Sequence, residues 1–109
     1  MTLEVPAFDE SQTVAATLSD LSEQSDRAPD ISHIFIVDRR NVLVGSMSLP
    51  EIMFAPPYAM LREVILPEPL AVKSDVDYGT CARLMDDNDL RSLPVVDETG
   101  VLLGAISID

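Results

Sequence analysis

A block of thirteen residues occurs twice in this chain. The run from Ile36 to Ser48 reappears as Val95 to Ser107 at a constant offset of 59, with no gap, and Asp38/Asp97, Gly45/Gly104 and Ser48/Ser107 are identical pairs. Each copy reads as two apolar strands around a polar turn, Asp38-Arg39-Arg40-Asn41 in one and Asp97-Glu98-Thr99-Gly100 in the other. Gly100 suits the left-handed position of such a turn. Self-similarity on this scale in 109 residues means one supersecondary unit built twice, with a core that the two copies share.

The flanking segments extend the repeat. Val5 to Phe8 reads as a strand, and Thr13 to Ser22 as an amphipathic helix with Val14, Leu18 and Leu21 on one stripe and Ser11 or Thr13 as N-cap. Ser22 to Asp30 reads as a loop, and the strands His33–Val37 and Val42–Ser48 follow. Leu49-Pro50-Glu51 opens a short helix, because the N–H that proline lacks has no partner in a first turn. Pro56-Pro57 breaks the chain before a second short helix predicted over Tyr58 to Ile65.

The same order then returns. Leu70–Val72 is a predicted strand, and Ser74-Asp75 caps a helix from about Val76 to Asp87. Strands follow over Leu93–Val96 and Val101–Ser107. Ala7 and Ala71 match at an offset of 64, so the first copy carries five extra residues, which belong in the Ser22–Asp30 loop. The expected fold is α/β: two β-α-β-β(-α) repeats with pseudo-twofold symmetry. The first spans 1–65 with a trailing helix and linker, and the second spans 66–109. The second stops where its own last helix should begin, so the chain reads as cut from a longer protein.

Composition narrows the function. With 47% hydrophobic residues the chain has enough apolar surface for a core, and no run approaches the ~18–20 apolar residues of a spanning helix. Nineteen acidic against seven basic residues give a net charge of −12, which disfavours nucleic acid and anionic membranes as partners. Divalent cations or a basic protein surface suit it better, and surplus carboxylates also serve solubility alone. Cys81 is the one cysteine, with no internal disulfide and no zinc cluster open to it, so a buried inert thiol in a reducing cytoplasm is expected. No Ser/His/Asp or Cys/His set and no Gly-rich phosphate loop is present, and an enzyme is not expected.

The run Leu93-Pro94-Val95-Val96-Asp97-Glu98-Thr99-Gly100-Val101-Leu102-Leu103-Gly104, with its echo ending at Gly45, resembles a tandem pair of cystathionine-β-synthase (CBS) domains, known as a Bateman module. Ala82 to Leu90 and Gly45 to Ile52, followed by Ala55-Pro56 and Leu61 to Ile65, are similar to the cytosolic CBS pair of MgtE-type magnesium transporters. The resemblance implies a non-catalytic regulatory region at the cytoplasmic face of the membrane, without membrane contact of its own. It implies sensing of intracellular Mg²⁺ through acidic faces that gate the pore. Its implied partners are a second copy and the remaining domains of a parent transporter. The alternative is an adenosine-nucleotide-sensing CBS module on an enzyme or another transporter.

Two candidate sites follow from the resemblance. Nucleotide-binding CBS modules use Gly-x-x-Ser/Thr-x-x-Asp, and here the first copy offers Gly45, Ser48 and Glu51, with His33 facing the same cleft. Glu51 is one methylene longer than the usual Asp, and Pro50 replaces a frequent Arg. The second copy offers Gly104 and Ser107 without the carboxylate. The structural alternative is that the glycines serve close packing and the serines cap helices.

For Mg²⁺, the resemblance points to Glu4, Asp77 and Asp89, with Asp86 beside them, while Gly79 replaces one acid of the set. Asp86, Asp87 and Asp89 sit at a helix C-terminus, where the dipole end is already negative. Against this stands plain solvated charge. The helix face of Leu84 and Met85 is expected to pack on the second copy.

Overall fold

The strand His33–Val37 is buried on both faces, as is its equivalent Ser92–Val96, and much of the fold is arranged to cover them. In β2 (His33–Val37), Ile34, Phe35, Ile36 and Val37 are all buried. Successive side chains of a strand point to opposite faces, so two separate cores must meet there. Ile34 and Ile36 pack with Val14, Leu21, Ile52 and Leu61 of their own repeat. Phe35 and Val37 pack with Leu43 and with Leu102 and Ala105 of the other repeat.

The computed structural model describes residues 7–24, 33–65, 69–90 and 92–107. In chain order the elements are β1 (Ala7–Asp9), α1 (Val14–Gln24), β2, β3 (Leu43–Ser48), α2 (Leu49–Phe54), α3 (Leu61–Val64), β4 (Val72–Lys73), α4 (Tyr78–Asp87), β5 (Ser92–Val96) and β6 (Leu102–Ser107). They form two three-stranded sheets, β1-β2-β3 and β4-β5-β6. In each, a parallel pair bridged by a helix is followed by an antiparallel hairpin.

The registers reproduce both sequence offsets. Phe8 pairs with Ile36 and Val72 with Val95, which are equivalent residues. The hairpins slip register at the same place, between Ile36 and Val37 and between Val95 and Val96. The helices begin at the equivalent residues Val14 and Tyr78. The insertion therefore falls after α1. Eight residues separate Gln24 from His33, against four between Asp87 and Ser92, and α1 itself is one residue longer than α4.

The two turns are built alike. Asp38 Oδ1 accepts from the N–H of Arg40 (2.8 Å) and of Val42 (3.0 Å). Asp97 Oδ1 accepts from Thr99 (2.8 Å) and Val101 (3.0 Å). The left-handed position is Asn41 (φ 66°) in one turn and Gly100 (φ 90°) in the other. These turns pair with each other: Leu43 N–H donates to Gly100 O and Leu102 N–H to Asn41 O, both at 2.9 Å. The contacts are reciprocal at equivalent positions, the signature of a twofold relation, and the self-equivalent Val42–Val101 bridge lies at its centre.

Several boundaries differ from the sequence expectation, each for a local reason. The first strand is Ala7–Asp9, and Val5 and Pro6 lie outside the described residues. The first helix runs past Ser22 to Gln24, with Thr13 Oγ1 accepting from Ala16 N–H at 3.2 Å as its cap. No helix forms over Tyr58–Met60. The carbonyls of Pro57 and Ala59 instead accept from Ala15 and Val14, which are first-turn amides of α1 with no intrahelical partner.

The expected strand at Leu70 begins at Val72. The pair equivalent to Ala7–Phe35 would be Ala71–Pro94, and proline has no N–H to give. The second helix starts at Tyr78, capped by Asp77, while Ser74 and Asp75 lie in the preceding turn. Cys81 is buried in the second repeat, as expected.

Gly45 lies where the first repeat is tightest. A Cβ there would sit 2.9 Å from Ile65 Cβ, and Ile65 is held by its N–H bond to Leu61 O. Gly45→Ala is therefore expected to cost about 1–3 kcal/mol through overpacking, read as a lower urea midpoint with unchanged slope.

Candidate functional site

The open ends of the two hairpins lie opposite their turns, and each carries the serine of its repeat. In the first repeat His33 pairs with Ser48 across β2 and β3, so the imidazole and the hydroxyl flank one sheet end. Ser48 is also the N-cap of α2, with extended backbone (φ −78°, ψ 160°). Its Oγ accepts from Glu51 N–H at 3.3 Å. Glu51 Oε1 in turn accepts from Ser48 N–H at 3.2 Å and from the Ser48 hydroxyl at 2.9 Å.

This is a capping box, with Pro50 inside the first turn where its missing N–H costs nothing. His33, Ser48 and Glu51 are thus brought to one end of the sheet, with Ser48 half-buried and Glu51 exposed. The hydroxyl and the carboxylate hold each other there. A sugar diol recruiting both would have to displace their mutual bond. Gly45 beneath them serves close packing against Ile65.

The second repeat repeats the frame without the same chemistry. Ser107 closes β6 opposite Ser92, the position His33 holds in the first repeat. The imidazole has no counterpart, so the two ends would present different groups to a ligand.

The acidic candidates divide along α4. Asp77 is its N-cap, with Oδ1 accepting from Thr80 N–H at 2.7 Å and Oδ2 from Thr80 Oγ1 at 3.0 Å. These bonds, the backbone one foremost, hold the Asp77 carboxyl below the ordinary value of 3.8. Asp86 and Asp89 lie at the other end of this ten-residue helix, a rise of about 15 Å away. Glu4 lies outside the described residues.

Asp89 takes a left-handed conformation (φ 56°) just past the C-cap Asn88. Leu90 N–H bonds to Met85 O (2.8 Å) and Asp89 N–H to Asp86 O (3.3 Å), the pattern that closes a helix with a residue in this conformation. Leu90 packs beside Met85 in the second core. Asp is a tolerated substitute for glycine there. Among the described residues, no group of three His, Cys, Asp or Glu converges as a metal cage.

One surface was missed in the sequence. Met53, Phe54 and Tyr58 are 65%, 88% and 84% exposed: α2 buries only Ile52 of its last three residues, and Tyr58 lies in the turn beyond it. The signal was available: Ile52 to Leu61 contains no charged residue, in a chain where 24% of residues are charged. The face expected to pack on a second copy is corrected in the same step. Met85 is 2% exposed within its own repeat, so it is not offered to a partner.

Comparison with known proteins shows what this arrangement is similar to. A CBS-domain profile matches residues 61–109. The magnesium transporter MgtE of Thermus thermophilus is 38% identical over all 109 residues, which span 24% of that protein. The whole chain superposes on the crystal structure of the cytosolic domain of the Mg²⁺ channel MgtE in complex with ATP, with a TM-score of 0.92 at 38% identity over 44% of that chain. It matches the soluble part of a magnesium transporter with a TM-score of 0.93 at 28% identity over 43% of that chain. Among the described residues no helix is long and apolar enough to cross a membrane.

Two outcomes check this geometry. Ser48→Ala removes the α2 cap and is expected to cost about 0.5–2 kcal/mol in urea unfolding. The carboxyls of Asp9, Asp77 and Asp97 are all held below 3.8, mainly by bonds from Ser11, Thr80 and Thr99 respectively. A depressed folded-state value stabilises above the unfolded value and is lost as pH falls through the folded one. The melting temperature should therefore fall as pH drops below about 3.8, and less steeply in Asp97→Asn. The chain is similar over its whole length to the cytosolic region of MgtE-type magnesium transporters, and its residues 61–109 match the CBS domain.

Proposed function

We propose that this chain is the regulatory CBS pair of a magnesium transporter, non-catalytic, and placed at the cytoplasmic face of the membrane in its parent protein. The observation that carries this reading is the 38% identity to MgtE sustained over all 109 residues, together with the matching backbone. The repeats are taken as 1–65 and 66–109.

Mg²⁺ acts in this proposal as the regulating ligand. It needs oxygen donors, keeps several waters and requires only one or two carboxylates from any one surface. The exposed Asp86 and Asp89 fit such a demand. Asp77 has both oxygens engaged with Thr80 and offers only its remaining lone pairs. Carboxylates outside the described residues, Glu4 or those of neighbouring domains, would complete the coordination. Neutralising the −12 charge lets acidic faces approach, so the free energy is mainly electrostatic and weakens with salt.

A second ligand is favoured by a specific observation: the ATP-bound relative has this fold, and His33, Ser48 and Glu51 share one sheet end here. An adenosine nucleotide would place its ribose hydroxyls on Ser48 and Glu51 and its base near His33, with Ser107 marking the equivalent end of the second repeat. Pro50 supplies no charge for the phosphates.

The proposed partner is a second copy of the chain, packed through Met53, Phe54 and Tyr58. Two chains of charge −12 repel unless they meet on an uncharged face, and Ile52 to Leu61 supplies one. The remaining domains of the parent transporter are the other partners.

Isothermal titration and thermal melting separate the two ligand readings. Heat and stabilisation with millimolar MgCl₂, reduced in Asp86→Asn/Asp89→Asn, are expected for the regulatory reading, and a flat response would reject it for this pair. Stabilisation by ATP or AMP that is lost in Glu51→Gln marks the nucleotide end. Phe54→Glu is expected to convert a dimeric mass in light scattering to a monomeric one.

A further inference from the structure

The turn of the first hairpin carries charge that its fold does not require. Asp38 closes it by accepting from the N–H of Arg40 and Val42, and Asp97 closes the second turn by the same bonds from Thr99 and Val101. Glu98 and Thr99 stand where the first turn has Arg39 and Arg40, so the same geometry forms without either arginine. Both arginines are exposed.

A third arginine lies beside them. Arg62 N–H donates to Glu10 O at 3.0 Å, and Glu10 N–H donates at 2.8 Å to the carbonyl of Val37, the residue before Asp38. These two bonds bring the exposed Arg62 next to the turn. Three of the chain's seven basic residues thus share one corner of the first repeat.

The acids of this corner are mostly engaged already. Asp9 Oδ1 accepts from Ser11 N–H at 2.8 Å and from its hydroxyl at 2.6 Å. These bonds hold the Asp9 carboxyl below its ordinary value, and the nearby Arg62 and Arg39 add to the effect. Asp38 is spent on the turn, and Glu63 Oε2 accepts from Met60 N–H at 3.3 Å. Glu10 is the remaining carboxylate, and it is half-buried. Among the described residues none of the three arginines forms an ion pair, in a chain with nineteen acids. Guanidinium groups left unpaired amid such an excess are open to an external carboxylate, which each can hold through two parallel bonds.

We propose that Arg39, Arg40 and Arg62 form a docking surface for an acidic segment of protein, supplied by a neighbouring domain of the parent. An anionic membrane fits less well, because a plane of charge meets the whole −12 body. A short segment meets mainly the charges within the screening length, about 8 Å at physiological salt. The similar MgtE cytosolic chain extends well beyond this pair, which covers 44% of it. The source of the segment rests on the reading of this chain as part of a longer transporter, and the surface itself does not. Docking here needs no metal, so the segment is held when Mg²⁺ is absent, the opposite dependence from acidic faces drawn together by the cation.

Binding of a glutamate hexapeptide to the pair in EDTA, followed by fluorescence anisotropy, reads the surface. Arg39→Ala/Arg40→Ala is expected to weaken it by about three- to tenfold. Adding Arg62→Ala should weaken it further, while Arg83→Ala, exposed on α4, should leave it unchanged. No binding, or an equal loss in Arg83→Ala, would overturn the proposal. So would retention on phosphatidylserine vesicles that the double variant abolishes while the peptide stays unbound.

In the full-length protein, Arg39→Lys/Arg40→Lys keeps the charge and lets a carbodiimide join a lysine amine to the carboxylate in contact with it. Peptide mapping is expected to place that carboxylate in the parent sequence outside these 109 residues. Cross-links confined to the pair, or none, would reject the proposal even where the Mg²⁺ response of the regulatory reading is intact.

Discussion

The structure depends on the two-sided burial of β2. A strand exposed on one face can be covered by a single helix, and a β-α-β-β unit would then suffice. Here Ile34 and Ile36 take α1 and the helices after β3, while Phe35 and Val37 still need a cover that one repeat does not possess. The second repeat provides it with Leu102 and Ala105. Duplication is thus a physical requirement of this sequence, since a lone copy would leave Phe35 in water.

The same constraint positions the chemistry. Because the turns of the hairpins meet at the centre, the opposite ends carrying Ser48 and Ser107 are turned away from the junction. Each is the end of a strand followed by a change of direction, where a serine can cap and a neighbouring carboxylate can answer it. In the first repeat that pairing is complete at 2.9 Å. The acids of α4 belong to a different part of the surface, and its ten residues keep Asp77 away from Asp86 and Asp89. The Ser48 end of the first repeat and the acids of α4 are therefore separate regions of the surface.

Much of this was legible in the sequence because it rests on local rules. The repeat offsets, the turn of Asp97 to Gly100, the cap at Ser48 and the burial of Cys81 all follow from patterns within a few residues. The misread segments are those where a distant partner claimed a backbone group. Tyr58–Met60 had helical neighbours, yet the carbonyls of Pro57 and Ala59 go to the start of α1. Asp89 looked like a misplaced charge, but its left-handed conformation closes α4 with Leu90 on Met85. Met85 looked like a surface anchor because periodicity marks an apolar face without saying which body covers it.

The sequence by itself determined the α/β class, the twofold repetition and the strands that carry it, since these depend on periodicity and on turn chemistry that each copy contains. Only the tertiary structure decided that the two turns bond reciprocally, that Ser48 and Glu51 hold each other, that the α4 acids stand apart, and that Met53, Phe54 and Tyr58 remain outside. Those outcomes depend on which groups meet across long stretches of chain. No spacing within the sequence encodes that, because a hydrogen bond or a covered face belongs to two segments at once.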